Sequence, residues 1–149
     1  MKKLLSIVAI VALGILGLTQ CRRTPLAPHA GSTIEITGNT DAEFAKALES
    51  KARGRPLQGQ GTVTKVLRDD TQGSRHQRFI VKLQSGQTLL VAHNIDIAPK
   101  IKSLKVGDTV AFKGEYEWSP QGGVIHWTHH DPGARHPAGC LVHDGKTYQ

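Results

Sequence analysis

The chain contains the run HQRFIVKLQSGQTLLVAH from His76 to His93. Apolar and polar side chains broadly alternate on both sides of Ser85-Gly86, and a period of two is typical of strands with one buried face. A two-residue turn between two such runs indicates a β-hairpin. The run therefore predicts two antiparallel strands, over residues 76–83 and 87–93, in an all-β domain.

The period of two continues outside this hairpin. Further strands are predicted over residues 59–68, 109–118 and 124–130, followed by a short last hairpin of residues 140–143 and 146–148. A long connection from Asn94 to Lys105 separates the third strand from the fourth. Five strands with a long third connection are the pattern of an OB barrel, and an SH3-like barrel is the alternative. We therefore predict a small five-stranded OB-like barrel.

The apolar residues of these strands are numerous enough to fill a barrel interior. The predicted interior residues are Val63, Phe79, Val81, Leu90, Val110, Phe112 and Val124. A short N-terminal helix is predicted over residues 41–52, because Asn39 or Thr40 can cap it and Gly54 ends it. We expect this helix to pack on the barrel.

Residues 1–21 have the features of an export signal. Lys2 and Lys3 form a basic start, and residues 4–18 are an uncharged and mostly apolar run. A helix of this length reaches about 22 Å, less than the roughly 30 Å hydrocarbon core of a membrane. The segment therefore predicts a secretory signal rather than a buried helix.

The end of this segment, Leu18-Thr19-Gln20-Cys21, resembles the bacterial lipoprotein box. Cys21 is accordingly a candidate for lipidation, and an ordinary cleaved signal or an uncleaved anchor are the alternatives. In each case we expect an exported, periplasmic protein, with the membrane as a partner through the N-terminal segment. A lipid on Cys21 would anchor it at the inner or outer membrane.

Two further segments follow the signal. Residues 22–39 are polar, carry Pro25 and Pro28, and predict a flexible tether. Residues 40–149 are predicted to form the OB-like barrel domain with its N-terminal helix. From Pro56 onward there are 11 Lys and Arg residues against 8 Asp and Glu residues. Charge therefore supports nucleic-acid binding only weakly.

Three stretches carry a resemblance to a known family. They are RHQRFIVKLQSGQTLLVAHNIDIAPKI (75–101), GDTVAFKGEYEWSPQGGVIHWTHHDP (107–132) and HDGKTYQ (143–149). In this order they resemble a family of small exported bacterial proteins of unknown function with an OB-like barrel. The resemblance covers roughly residues 57–149. It implies the fold class and an export route, and it implies no activity.

The stretch from Gly114 to Pro132 is the richest in chemically useful side chains. It contains both Trp residues of the chain, three His residues, two Glu residues and Asp131. Aromatic side chains of OB barrels can stack on bases or sugars, and polar residues at neighbouring strand ends can grip a ligand. The candidate ligand-binding residues are Arg75, His76, His93, Asn94, Tyr116, Trp118 and Trp127.

The histidines of this stretch also suggest a metal site. On one strand, His126 and His130 share a face and His129 points the other way, unless the strand bends near Thr128. Imidazole and carboxylate ligands suit zinc or another transition metal. The candidate metal ligands are His93, His126, His130 and Asp131.

Three functions remain open from the sequence. The first is a ligand-binding module with its site near the His/Trp hairpin, for a sugar or a nucleic acid. The second is a metal-dependent hydrolase of the phosphodiesterase or nuclease type, built on His76, His93, His126 and His130. The third is a structural protein of the cell envelope. The alternative to a functional site is that these histidines lie on the surface or make internal hydrogen bonds.

Overall fold

The computed structural model describes residues 40–149. Its elements are helix α1 (Thr40–Glu49) and strands β1 (Arg55–Val66), β2 (His76–Lys82), β3 (Thr88–Asn94), β4 (Thr109–Glu117), β5 (Val124–His126), β6 (Cys140–His143) and β7 (Lys146–Tyr148). The signal, the tether and Cys21 lie outside the described residues. Within residues 40–149, no helix is both long and apolar enough to cross a membrane.

Five of the strands close into a barrel. β1 pairs with β2 and β2 with β3, all antiparallel, while β3 pairs with β5 in parallel. β5 then pairs with β4, and β4 returns to β1 from Arg55↔Tyr116 to Thr62↔Thr109. The all-β, five-stranded prediction is therefore confirmed, and β6 and β7 extend the sheet as a hairpin on β4.

Strand β1 is long because it pairs with both β2 and β4. Its register on β2 shifts between Val63 and Lys65, as in a β-bulge. Gly59 and Gly61 lie where the strand bends past its neighbours: a Cβ at Gly59 would lie 2.8 Å from the Phe44 ring, and one at Gly61 would lie 2.9 Å from the Lys82 carbonyl oxygen. Only glycine allows these close approaches, so the two glycines help the barrel to close.

Most of the predicted interior residues are buried. These are Val63, Phe79, Val81, Val110 and Phe112. Leu90 and Val124 are instead paired with each other at half-buried positions, and their neighbours Leu89, Val91 and Ile125 are fully buried. Because strand side chains alternate between faces, an offset of one residue moves an apolar side chain from the inside to the outside.

Helix α1 packs against one end of the barrel interior. Phe44 is fully buried, with its ring centroid 5.8 Å from that of Phe112 and 6.1 Å from that of Tyr116. Burial of a Phe side chain stabilises the fold by about 2–3 kcal/mol. The helix ends before Lys51, which has a left-handed φ of 52°. The predicted N-terminal helix is thus present and anchored by one aromatic residue.

The barrel wall is interrupted after strand β5. Val124–His126 of β5 and Cys140–Val142 of β6 pair with successive parts of the same edge of β4. The predicted strand over 124–130 ends at His126, because Trp127 has a φ of 51°, which an extended strand does not allow. Residues 127–139 therefore leave the barrel wall as a loop and return to it at Cys140. We call this segment the 127–139 loop.

Candidate functional site

The 127–139 loop leaves and rejoins the barrel at one place. A Cβ at Gly139 would lie 2.0 Å from the carbonyl oxygen of Trp127 and 2.6 Å from that of Lys113. The Gly139 amide donates to the carbonyl of His129 at 3.0 Å. The absence of a side chain at Gly139 thus lets both ends of the loop lie against β4.

Asp131 organises the interior of this loop. Its carboxylate is buried and accepts hydrogen bonds from the backbone amides of Gly133 (3.0 Å) and Arg135 (2.7 Å). The Arg135 guanidinium donates to both carboxylate oxygens at 3.1 Å. These hydrogen bonds, first of all those from the Arg135 side chain, hold the pKa of Asp131 far below its usual range. Asp131 therefore has a structural role in the loop.

The loop presents Trp127 at the surface. Its ring stacks on that of His136, with centroids 4.4 Å apart, and lies 5.1 Å from the ring of His126. The side chain of His136 is nearly buried and meets His129 edge-on at 4.9 Å. Trp127 itself remains 37% exposed. Its neighbours thus fix the position of an exposed aromatic ring.

A groove of about 230 Å³ runs beside Trp127 over the outside of β1 and β4. Trp127, Pro137 and Ala138 of the loop line one part of it, and α1 contributes Glu43. The remaining lining residues are Pro56, Leu57, Gln58, Lys113, Gly114 and Glu115. Strand register explains part of this set, since Pro56 pairs with Glu115 and Gln58 with Lys113. We call this feature the Trp127 groove.

Next to the groove, the structure brings together Glu115, Glu117 and His126. Their ligand atoms all lie within 4.8 Å of one another, which makes them the one group of three metal-binding side chains found among residues 40–149. The cross-strand pair Glu115↔His126 places the two side chains on one face, and Glu117 follows two residues along β4. Of the predicted metal ligands, only His126 belongs to this cluster.

Within the cluster, His126 is the least satisfied member. Its Nε2 atom is closed off from solvent and has no hydrogen-bond partner among the described residues. The nearest carboxylate oxygen, on Glu115, is 3.6 Å away, too far for a hydrogen bond. Burial lowers the pKa of His126, although Glu115 and Glu117 act against this. The ring is therefore held neutral with a free nitrogen.

His93 lies elsewhere and is fully satisfied. The ring is completely buried; its Nε2 donates to the carbonyl of Pro99 (3.2 Å), and its Nδ1 accepts from the hydroxyl of Thr128 (2.8 Å). Burial lowers its pKa from 6.5 to about 4. Both nitrogens are used, so His93 links the β3–β4 connection to the 127–139 loop as a neutral imidazole.

The remaining polar candidates form a second, closed set at the adjacent ends of β2 and β3. Asp96 accepts hydrogen bonds from the backbone amide and the Nε of Arg75, both at 2.7 Å. Asn94 accepts from the Asp96 amide at 3.0 Å, and His76 donates to the carbonyl of Ser74 at 2.8 Å. These contacts tie down the loops at this end, and the predicted ligand-binding residues there are all engaged in them.

The three aromatic candidates differ in exposure. Tyr116 is fully buried in the barrel, donates to the carbonyl of Gly122 at 3.2 Å and has a pKa raised by burial. Trp118 packs partly buried against the core, with the Lys51 ammonium 5.3 Å from its ring centroid. Trp127 is the one that lines the groove. His130 is exposed and Cys140 is buried, as expected of a lone Cys packed as a small apolar side chain.

Several groove and cluster residues were not among the sequence candidates. Glu115 and Glu117 were visible in the His/Trp stretch, but their pairing with His126 depends on the register of β4 and β5. Pro56, Gln58 and Lys113 come together only through the pairing of β1 with β4. A Lys and a Gln at outward positions of two strands give no signal by themselves, because such residues usually face water.

The fold and the site define a small closed β-barrel with an exposed aromatic groove on its outer wall. The chain belongs to the family described as "Protein of unknown function (DUF3465)", whose pattern matches residues 29–149. No curated protein matches the chain.

Proposed function

We propose that this protein is a ligand-binding module and that the Trp127 groove is its binding site. The observation that carries the proposal is the geometry of Trp127. A bulky residue with a left-handed φ is uncommon and costs about 1–3 kcal/mol of backbone strain. Here the strained residue is also an exposed aromatic ring beside a groove. Strain of this kind is typical of functional positions.

The barrel serves as an OB-like scaffold in this proposal. Support comes from the five-stranded closed order β1-β2-β3-β5-β4 with β1 paired to β4. OB barrels that bind oligonucleotides use the face of their second and third strands. The outward-facing residues of β2 and β3 include no Trp, Tyr or Phe on which bases could stack. The groove lies instead over β1 and β4, and its lining favours a different ligand class.

We infer that the ligand is a saccharide without phosphate groups. A pyranose ring has an apolar C–H face that suits an indole ring and a rim of hydroxyls that needs donors and acceptors. The groove supplies Trp127 for the first requirement and Gln58, Lys113 and Glu115 for the second. Its charged residues are two Glu and one Lys, so a polyphosphate chain would meet net repulsion.

The cellular setting follows the sequence features. We propose export through the signal of residues 1–21 and attachment to a membrane by a lipid on Cys21. The basic start, the short apolar run and the lipoprotein-like box support this. A groove for saccharides on a protein held at a membrane surface would then face the sugar polymers of the envelope.

The proposal is tested by fluorescence titration of the full chain carrying Trp118→Phe, which leaves Trp127 as the only indole. Chitooligosaccharides are the first probe and oligo(dT) is the contrasting probe. We expect saturable quenching by the sugar and none by oligo(dT) at 150 mM salt. Trp127→Ala, measured by calorimetry, should weaken sugar binding about tenfold, since aromatic stacking contributes about 1–3 kcal/mol.

Arg75→Ala is the matched control, because it alters the closed set at the β2–β3 end and leaves the groove intact. It should bind the sugar as the unchanged chain does. Quenching by oligo(dT) with loss in Arg75→Ala would favour the nucleic-acid hypothesis instead. Absence of binding to either probe, with the fold retained, would leave the structural envelope role.

A further inference from the structure

We propose that Glu115, Glu117 and His126 bind a divalent zinc ion. The cluster lies on the outer face of β4 and β5, and Glu115 also lines the Trp127 groove. The bound ion would thus sit at the edge of the groove. The inference does not depend on what the groove binds, because it rests on the donor atoms of these three side chains.

The spacing of the donors suits the ion. Zinc binds His nitrogen and carboxylate oxygen at about 2.0–2.2 Å, so two ligands of a tetrahedral site lie roughly 3.4 Å apart. The Nε2 of His126 and the Oε1 of Glu115 are 3.6 Å apart. One donor atom from each of the three side chains lies within 4.8 Å of the other two. Small side-chain rotations are therefore enough to bring Glu117 to the same centre.

The unpaired Nε2 of His126 is the second observation. A buried imidazole nitrogen normally has a hydrogen-bond partner, as both nitrogens of His93 do. The Nε2 of His126 has none among the described residues and lies 3.6 Å from the Oε1 of Glu115. An imidazole nitrogen grouped with two carboxylates is a donor set for a cation, since the positive ion would satisfy the nitrogen and offset the two negative charges.

The carboxylates differ in how they are held. Glu117 accepts from the Gly54 amide through Oε1 at 2.8 Å, which orients the group, while Oε2 faces the exposed Arg53 guanidinium at 3.3 Å. The contact with Gly54 orients the carboxylate as outer contacts of metal ligands do. The exposed contact with Arg53 is weak, so Oε2 remains available to an ion. Glu115 is 16% exposed and its only ionic contact among residues 40–149 is His126. Glu117 is thus already oriented, and no Lys or Arg among residues 40–149 forms an ion pair with Glu115.

Ligand chemistry favours zinc over calcium, magnesium and copper(I). Imidazole is a poor ligand for calcium and magnesium, which prefer oxygen alone. Two carboxylates are harder than the thiolates and thioethers that copper(I) prefers. Three protein ligands leave a fourth tetrahedral position, and the side chains of His126 and Glu117 are 27% and 29% exposed. An exchangeable ligand such as water would take that fourth position.

The test is calorimetric titration of zinc chloride into the full chain, purified without a polyhistidine tag and stripped with chelator. We expect one zinc per chain in the unchanged protein. Glu115→Gln, which keeps the size of the side chain, should weaken zinc binding at least tenfold, and His126→Ala should weaken it at least a hundredfold. Circular dichroism of each variant checks that the fold is retained.

His130→Ala is the matched control, because His130 is an exposed histidine of the adjoining loop outside the cluster. It should bind zinc within twofold of the unchanged chain. The proposal is overturned if the unchanged chain takes up no stoichiometric zinc, if Glu115→Gln and His126→Ala retain it, or if His130→Ala loses it equally. Since sugar binding is measured separately, either proposal can fail while the other holds.

Discussion

The β2–β3 end and the outer face of β4 and β5 both carry histidines and acidic side chains. The two regions differ in how completely these side chains are hydrogen-bonded. At the first, Arg75, Asp96 and Asn94 exchange close hydrogen bonds, and nearby His93 uses both ring nitrogens. At the second, His126 has a buried nitrogen without a partner, and Glu115 forms no ion pair with a Lys or Arg among residues 40–149. The polar side chains named in the first region all have hydrogen-bond partners, whereas in the second region a buried nitrogen of His126 has none among the described residues.

The difference separates structural polar groups from candidates for binding. A buried polar group without a partner costs about 1–3 kcal/mol, so the Nε2 of His126 needs an explanation, and a bound ion is one. In this chain the incomplete region also adjoins the exposed ring of Trp127. The proposed groove and the proposed zinc cluster therefore lie in a region whose hydrogen bonding is incomplete.

The largest effect expected from this comparison is on stability. His93→Ala should lower the free energy of unfolding by about 3 kcal/mol, because it removes a fully buried ring and leaves Thr128 and the Pro99 carbonyl without a partner. The matched variant His126→Ala should cost less than about 1 kcal/mol, since no hydrogen bond of its Nε2 is lost. Urea denaturation followed by circular dichroism measures both.

Equal losses in the two variants would remove the distinction between the regions. A larger loss for His126→Ala would reverse it, and would mean that the packing of His126 against Trp127 matters more for the fold than the His93 network. Chelator must be present in both titrations, because bound zinc would stabilise the unchanged protein and exaggerate the effect of His126→Ala.

The next effect is a loss of stability on mild acidification. The pKa of His93 is lowered by burial from 6.5 to about 4, so between these values the unfolded chain binds a proton that the folded chain does not. Stability from this group is complete above pH 6.5 and is lost as the pH falls. The expected loss between pH 7 and pH 5 is about 2 kcal/mol, measured by urea denaturation at each pH.

His93→Gln keeps a polar side chain that does not titrate and should flatten most of this pH dependence. A smaller slope of the same sign should remain, because burial also lowers the pKa of His126. Asp131 does not contribute in this window, since its pKa lies far below its usual range and its stabilisation is lost only in stronger acid. A His93→Gln curve as steep as the original would show that His93 is not the titrating group.

Local patterns predicted much of the barrel because they reflect local physics. Alternating apolar residues and a turn at Ser85-Gly86 placed the second and third strands within one residue of β2 and β3. The last hairpin around Asp144-Gly145 has the predicted bounds, because its two-residue turn requires positive φ at both positions, as observed. Pattern and structure agree where neighbours in sequence decide the conformation.

The interruption at Trp127 could not be predicted in the same way. Neither Trp nor its neighbours favour a left-handed φ; the conformation follows from where Gly139 returns to β4, twelve residues later. The groove and the Glu115–Glu117–His126 cluster depend on the registers of β1, β4 and β5. Pairing between distant segments is decided by packing of the whole barrel, which one sequence does not display.

A smaller effect concerns the backbone at Trp127. Trp127→Gly should be more stable than Trp127→Ala by about 1 kcal/mol, because glycine adopts a φ of 51° without strain and alanine does not. Both variants lose the indole and should lose sugar binding equally. Denaturation midpoints and sugar titrations of the two variants check the two statements separately.

Trp118 supplies the matched pair of controls. Its φ is not among the left-handed ones, so Trp118→Ala should be more stable than Trp118→Gly, the reverse order, because glycine has more freedom to lose on folding. If the order at Trp127 is the same as at Trp118, the left-handed conformation at the groove is not a property of the protein in solution. Strain at Trp127 would then no longer support a binding role for the groove.

The smallest effect is on zinc affinity and comes from outside the cluster. Among residues 40–149, Arg53 is the one cation in ionic contact with Glu117, at 3.3 Å, and its side chain is 69% exposed. Arg53→Ala should therefore strengthen zinc binding about two- to fivefold, because it removes a weak competitor and one nearby positive charge.

Lys65→Ala, which removes an exposed charge at the far end of β1, should leave the affinity unchanged. An equal gain in both variants would mean that zinc responds to net charge and not to Glu117, whereas a loss in Arg53→Ala would mean that Arg53 orients the carboxylate.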